Sequence, residues 1–174
     1  MMLDLPAPIL DILALFSPLF SKPVYRNVVF LFIGHILSKG RRTIADILRT
    51  LDLKDLKNFS KFHWVLSEAK WSAHKAAGIL LLEIIRVFLL NEEIVIPIDT
   101  TVERRKGEKI MGLGRQRDPV RSTKNRKVLT IGLNWLIASV SVKLPGCLTR
   151  WSLPFFTQLL PPKKPLSTSR NKRD

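Results

Sequence analysis

Asp99 is the residue whose type and setting most directly indicate chemistry. It ends an apolar, β-branched run, NEEIVIPID, and is followed by Thr100 and Thr101. A carboxylate at the end of a rigid strand is well placed to bind one of a pair of divalent metal ions in phosphoryl transfer, because such ions prefer hard oxygen ligands. The same position also suits a turn or cap residue without a chemical role, so the residue alone leaves both interpretations open.

A strongly basic segment follows Asp99. Between Glu103 and Lys127 the sequence has 10 Lys and Arg residues against 3 acids. We predict that these cations contact DNA phosphates, with a solvated loop that only keeps the protein soluble as the alternative. The predicted DNA-binding residues of this segment are Arg104, Arg105, Lys106, Lys109, Arg115, Arg117, Arg121, Lys124, Arg126 and Lys127.

A second, smaller basic site lies in the first half of the chain. Arg41 and Arg42 follow Gly40 and precede Thr43, which we predict to cap a short helix, TIADILRTL. Arginines ahead of a capped helix can bind phosphates, as in a helix–turn–helix. An ordinary basic loop of a helical bundle is the alternative, and both remain open.

The net charge is concentrated in the second half of the chain. The 174 residues include 29 Lys and Arg against 14 Asp and Glu, a formal net charge of +15. Residues 1–98 carry 12 basic and 9 acidic side chains, whereas residues 99–174 carry 17 and 5. This imbalance indicates a polyanionic partner, either nucleic acid or an anionic membrane surface. The membrane is disfavoured because the cations occupy a Gly-containing, non-helical stretch and not one face of an amphipathic helix.

Several other classes of protein are excluded by composition. The single cysteine, Cys147, excludes an internal disulfide and four-thiolate zinc sites. The apolar runs at residues 24–37 and 76–90 contain charged side chains and are shorter than the roughly 20 residues that cross a bilayer. We therefore expect a cytoplasmic protein with no membrane partner.

The elements that would position these residues change in character near residue 91. Apolar residues recur with helical spacing up to about Leu90, which predicts a helical bundle over residues 1–92. Its aromatic residues are expected in the core; they are Phe59, Phe62, Trp64 and Trp71.

Residues 93–160 are predicted to form strands. The first ends near Asp99, the second extends from Lys127 to Leu144 with an interruption at Gly132, and the third is LTRWSLPFFTQLL. Tight turns between successive strands predict antiparallel pairing. The remaining residues, 161–174, have no periodicity and are predicted to be a disordered basic tail.

Two parts of the chain resemble the insertion-sequence transposases of the DDE superfamily. They are IDTTVERRKGEKIMGLGRQRDPVRSTKNRKVLTIGLNWL with the later RWSLPFFTQL, and upstream GRRTIADILRTL with NFSKFHWVLSEAKWS. The resemblance implies an α+β fold, in which a helical bundle precedes the first antiparallel strands of an incomplete RNase H-like catalytic domain. It also implies that Asp99 is the first catalytic aspartate and a Mg²⁺ ligand. The expected partners are transposon-end DNA and either a second copy or an intact transposase, at the bacterial nucleoid.

The sequence departs from the family pattern in its later acids. A complete site has a second aspartate on a later strand and a glutamate on a later helix. After Asp99 this chain has only Glu103, Glu108, Asp118 and Asp174, and we place the first three in a loop formed by the basic segment between Glu103 and Lys127. Because one carboxylate cannot hold two Mg²⁺ ions, we expect a truncated cut-and-paste transposase that is inactive alone. The alternative is a DNA-binding or dimerising remnant that inhibits an intact transposase.

Overall fold

A computed structural model describes residues 6–53, 58–107, 110–118 and 120–162 of the chain. The α-helices of this described part are α1 (Ala7–Ala14), α2 (Lys22–Leu37), α3 (Ile44–Thr50), α4 (Ser60–Ser67) and α5 (Ala73–Phe88). Its strands are β1 (Ile98–Arg104), β2 (Gly114–Arg117), β3 (Leu129–Lys143) and β4 (Arg150–Leu160). Helices followed by an antiparallel sheet confirm the predicted α+β class.

The chain divides into two compact units, Met1–Ile79 and Leu80–Asp174, and the division falls within α5. The last described helix ends at Phe88 and the first strand begins at Ile98. The predicted boundary between residues 92 and 93 stays a prediction. Residues 163–174 of the predicted tail lie outside the described residues.

The first unit has a core in which α2, α3 and α4 supply the buried side chains. Phe62 of α4 is 1% exposed and packs with Leu31, Ile33, Ile47, Leu48, Leu51 and Val65. The predicted cap of α3 is confirmed, because the Thr43 hydroxyl accepts a hydrogen bond of 3.3 Å from the Asp46 amide. Asp46 also accepts a hydrogen bond of 2.7 Å from Ser38, which joins the end of α2 to the start of α3.

Three of the four aromatic residues expected in this core are not buried. Phe59, Trp64 and Trp71 are each about half exposed, and only Phe62 matches the expectation. The helix α4 has eight residues, and its buried pair, Phe62 and Val65, is spaced by three residues. Trp64 lies between them in sequence and therefore points to another side of the helix.

The sheet of the second unit has β3 at its centre, and every strand pairs antiparallel with it. This pairing was predicted for β1, β3 and β4, whereas β2 lies within the basic segment and was not among the three predicted strands. Gly132 pairs with Arg104 of β1 and Gly114 of β2, so these strands lie on opposite edges of β3. Leu136 pairs with Thr100 of β1 and Gln158 of β4. The strands β2 and β4 therefore share one edge of β3 end to end, and β1 holds the other edge.

The first strand begins and ends later than the sequence indicated. Asp99 is its second residue, and the strand continues to Arg104. The preceding residues are also extended along β3, since Ser139 and Ser141 donate backbone hydrogen bonds of 3.0 Å to the carbonyls of Pro97 and Val95. The expectation that the strand ends near Asp99 is therefore wrong, and Asp99 lies within a longer extended segment.

Gly132 does not interrupt β3, contrary to expectation. The strand continues through it from Leu129 to Lys143. A Cβ at this position would lie 2.5 Å from the backbone oxygen of Glu103, so the glycine permits close approach of β1. A β-bulge instead occurs at the pairing of Ala138 and Ser139 with β4.

The two faces of this sheet differ in burial. Side chains alternate along a strand, so Asp99, Thr101 and Glu103 share one face, which we call the Asp99 face. Thr100, Val102 and Arg104 point to the other, the Arg104 face. On β3 the Arg104 face includes Val140 and Val142, which are both fully buried. They pack with Ile84 of α5 and with Leu89, the residue that follows this helix.

Candidate functional site

Asp99 lies on the exposed Asp99 face, opposite Ile137 of β3. Its Oδ1 atom accepts a hydrogen bond of 2.7 Å from the Thr100 amide. Among the described residues this is the one hydrogen bond that its carboxylate makes, and no cation pairs with it. The carboxylate is therefore accessible from solvent on a strand, as a metal ligand would require.

The nearest acid on the same face is Glu103, which the structure places on β1 and not in a loop. It lies four residues from Asp99, so the two side chains leave the strand about 13 Å apart. Its carboxylate is engaged by two donors: the Trp135 indole donates to Oε2 at 3.2 Å, and Arg105 pairs with Oε1. Glu103 therefore cannot share a metal ion with Asp99 in this arrangement.

The described residues do not fit a two-metal site. A pair of ions about 4 Å apart needs several converging carboxylates. In the described part of the chain no group of three His, Cys, Asp or Glu residues is placed to hold a metal ion. Glu108 lies outside that part, and Asp118 is engaged on the opposite face of the sheet.

Asp118 is the acid that the sequence analysis left without a role. It directly follows β2, and its side chain is 3% exposed. The Arg104 guanidinium donates to its Oδ2 atom at 2.5 Å, while the amides of Val120 and Arg121 donate to Oδ1 at 3.1 Å each. The Asp-Pro dipeptide at 118–119 is a sequence signal for a turn. The contact with Arg104, which is 14 residues away in sequence, becomes visible only when the strands are paired.

The charge of Asp118 is stabilised by these donors. Burial by itself raises the pKa of this carboxyl, because it removes water from the charged form. The hydrogen bonds from the Arg121 amide, the Arg104 guanidinium and the Val120 amide, with the charge of Arg104, outweigh that effect. The pKa of Asp118 consequently lies below its ordinary value, and the group is ionised at neutral pH.

Asp118 and residues 120–128 lie in a loop that is closed by hydrogen bonds, which we call the basic loop. The Asp118 amide donates to the Val128 carbonyl at 2.9 Å, and the Ser122 hydroxyl both donates to Val128 O and accepts from Val128 N. Thr123 is likewise joined to Arg126 by two hydrogen bonds. The loop carries four exposed cations, which are Arg121, Lys124, Arg126 and Lys127.

The other predicted DNA-binding cations are divided between the two faces. Arg115 and Arg117 pair with Ile131 and Leu129, which places their side chains on the Asp99 face. Arg104 lies on the opposite face. Arg105 and Lys106 follow β1 and are exposed, and Lys109 lies outside the described residues. The ten cations therefore do not form one flat surface, and the basic loop brings the largest group of them together.

The basic site of the first unit has a defined backbone. Arg41 and Arg42 are exposed, and Arg42 has a φ of 55°. Its left-handed conformation turns the chain immediately before the Thr43 cap. Their predicted role in DNA binding stays a prediction.

Comparison with protein families decides the identity of the chain. The family described as DDE superfamily endonuclease matches residues 15–174. The chain belongs to this family. The resemblance noted in the sequence is therefore confirmed over nearly the whole length of this DDE-family chain.

DDE endonucleases act on DNA and generally use divalent metal ions. Comparisons with curated proteins and with solved structures gave no match. No helix in the described part of the chain is both long and apolar enough to span a lipid bilayer.

Proposed function

We propose that this chain is a DNA-binding member of the cut-and-paste DDE transposases, in which Asp99 occupies the position of the first catalytic aspartate. The observation that carries the proposal is the family match over residues 15–174. The accessible carboxylate of Asp99 on β1 and the cations of the basic loop support it. In this proposal the antiparallel sheet of β1, β3 and β4 is the opening part of an RNase H-like domain.

The proposal separates binding from cleavage. The exposed cations can neutralise DNA phosphates without any metal ion. Cleavage by a metal pair requires carboxylates that converge, and the described acids after Asp99 are engaged elsewhere. We therefore expect that a polypeptide of these 174 residues binds DNA but does not cut it. Cleavage with Mg²⁺ would need further carboxylates beyond those of the described residues.

Duplex binding is tested by fluorescence anisotropy of a labelled DNA over a range of salt concentrations. If the four cations of the basic loop and one further arginine contact phosphates, log K should fall with log salt at a slope of about −4 to −5. A slope near zero would contradict the proposal, because binding would then not depend on phosphate contacts. A transposon-end sequence and a scrambled duplex of equal length should be compared, since phosphate contacts alone do not distinguish them.

A second function is favoured by the exposed cations of the basic loop, together with the finding that no group of three described His, Cys, Asp or Glu residues is placed to hold a metal ion. A protein that binds element ends without cutting them would inhibit an active transposase, either by competition for DNA or by forming mixed oligomers with it. Adding this chain to an active relative should slow cleavage. Recovery on addition of excess element-end DNA indicates competition, whereas inhibition that persists at saturating DNA indicates a mixed oligomer.

A further inference from the structure

A cavity of about 370 Å³ is bounded by residues of β1, β3 and the loop that follows β2. The residues that line it are Thr101, Val102, Arg104, Asp118, Val120 and Thr130. Thr130 of β3 pairs with Gln116 of β2, and alternation places its hydroxyl on the same face as Arg104. The lining of the cavity thus includes a hydroxyl, a guanidinium and a buried carboxylate.

Asp118 anchors the guanidinium and leaves part of it free. Both carboxylate oxygens are occupied by protein donors, and the side chain is 3% exposed. Arg104 is 51% exposed, and one of its five N–H groups is used in this contact. The remaining donors are available to a ligand that approaches from solvent.

A second arginine approaches the same carboxylate. The Nε atom of Arg121 is 4.0 Å from Asp118 Oδ2, and its side chain is 65% exposed. Two guanidinium groups around one carboxylate leave a local net positive charge. The hydrogen bonds that close the basic loop hold the Arg121 backbone in place, so only its side chain has to be ordered when a ligand binds.

We propose that this cavity is a binding site for one phosphodiester group of DNA, in which Arg104, Arg121 and Thr130 donate hydrogen bonds and Asp118 positions the arginines. The planar fork of a guanidinium fits phosphate oxygens in a two-point contact, which an ammonium group does not reproduce. This inference rests on the proposed DNA binding and adds to it a defined site and a positioning residue.

Two substitutions at Arg104 test the site by fluorescence anisotropy with a labelled duplex. Arg104→Gln should weaken binding about tenfold and make the salt slope shallower by about 0.9, the loss of one phosphate contact. Arg104→Lys keeps the charge and should still weaken binding several-fold, because the fork is lost. Arg86→Gln is the matched control: Arg86 also pairs with a carboxylate at 2.5 Å and is 69% exposed, but it lies on α5. It should change affinity less than twofold.

The Asp118→Asn variant distinguishes a positioning role of Asp118 from an effect of net charge, because the two predict opposite changes in DNA affinity. The asparagine oxygen can still accept from the backbone amides, but it no longer carries the charge that holds Arg104. The variant has one more net positive charge, so charge alone predicts tighter DNA binding. The positioning role predicts weaker binding, by about threefold or more. Tighter binding by this variant would overturn the role of Asp118.

The outcomes separate this inference from the proposed function. If the unchanged chain does not bind duplex DNA, both fail. If it binds and Arg104→Gln behaves like Arg86→Gln, the phosphate site is wrong while DNA binding stands. Circular dichroism of each variant establishes that it is folded. Should Asp118→Asn be unfolded, the two Arg104 variants still decide the question.

Discussion

Gly34 is the residue at which a single methyl group most sharply tests the packing of the first unit. It is buried in the last turn of α2, where the helix approaches α3. In an open helical position, replacing glycine by alanine stabilises a helix by up to about 1 kcal/mol. Here a Cβ would come well inside van der Waals contact of Ile47 Cγ2 and within 3.1 Å of Leu51 Cδ1.

The steric cost should exceed the gain in helix propensity. Ile47 is β-branched, so its Cγ2 cannot move without rotating the whole side chain. Overpacking of a core costs about 1 to 3 kcal/mol. Gly34→Ala should therefore lower the free energy of unfolding by a net of about 1 kcal/mol.

Gly78 is the matched control, because it lies in α5 and a Cβ there would meet no atom within 4 Å. Gly78→Ala should raise the stability by up to about 1 kcal/mol. Urea titrations followed by circular dichroism at the helical band measure both variants. The reasoning is refuted if Gly34→Ala is as stable as, or more stable than, the unchanged protein.

The cause of the Gly34 effect can be isolated with a second substitution. Ile47→Ala alone should cost about 2 to 5 kcal/mol, because Ile47 is 5% exposed. In the double variant, the methyl group added at position 34 occupies part of the space that Ile47 leaves. The two effects should then be less than additive by about 1 kcal/mol. Strict additivity would show that the two side chains do not meet.

The remaining predictions concern the second unit. Val140→Ala should lower the free energy of unfolding by about 2 kcal/mol, because Val140 is fully buried against residues of α5; a loss no greater than that of the exposed control Val120→Ala would contradict this core. The folded pKa of Asp118 lies below its ordinary value, so its contribution to stability is present above about pH 4 and is lost as the pH falls through the folded pKa. In acid titrations below pH 4, Asp118→Asn should show a shallower loss of stability than the unchanged protein, and parallel curves would argue against the ionised pair. Trp135→Phe should remove the indole donor to Glu103 without affecting DNA affinity; a change in affinity greater than that of Arg86→Gln would place this pair in the interface.

Local signals were sufficient to predict much of the fold. The cap of α3 is a hydrogen bond between the Thr43 hydroxyl and the amide of Asp46, three residues later in the sequence. The start of α3 could therefore be predicted from this short stretch. The strands β3 and β4 could be recognised because each is a long β-rich run beside the turn at Pro145 and Gly146. In each case the information lies within a few residues of the element itself.

The features that sequence could not predict depend on distant contacts. The bounds of β1 follow from its pairing with β3, in which Pro97 has a carbonyl acceptor but no amide donor. The exposed side of α4 depends on where α2 and α3 lie, and this leaves Trp64 outside the core.

The candidate site shows the same limit. Asp99 was singled out from its own neighbours and a family resemblance, and its catalytic role stays a prediction. The contact of Asp118 with Arg104 depends on the pairing of β1 and β2 with β3. This pairing brings Arg104, at the end of β1, close to the residue that follows β2. The division of the cations between two faces also follows from that register, because alternation separates Arg104 from Arg115 and Arg117.

A single gel tests the central claim, that this chain binds DNA but does not cut it. Supercoiled plasmid is incubated with the purified chain and Mg²⁺, and half of each sample is stripped of protein before electrophoresis. The account predicts that the untreated half migrates more slowly, because the protein is bound, and that the stripped half remains supercoiled. Conversion of the stripped plasmid to nicked circles, abolished by Asp99→Ala, would contradict this claim, which rests on the described acids not converging on a metal site.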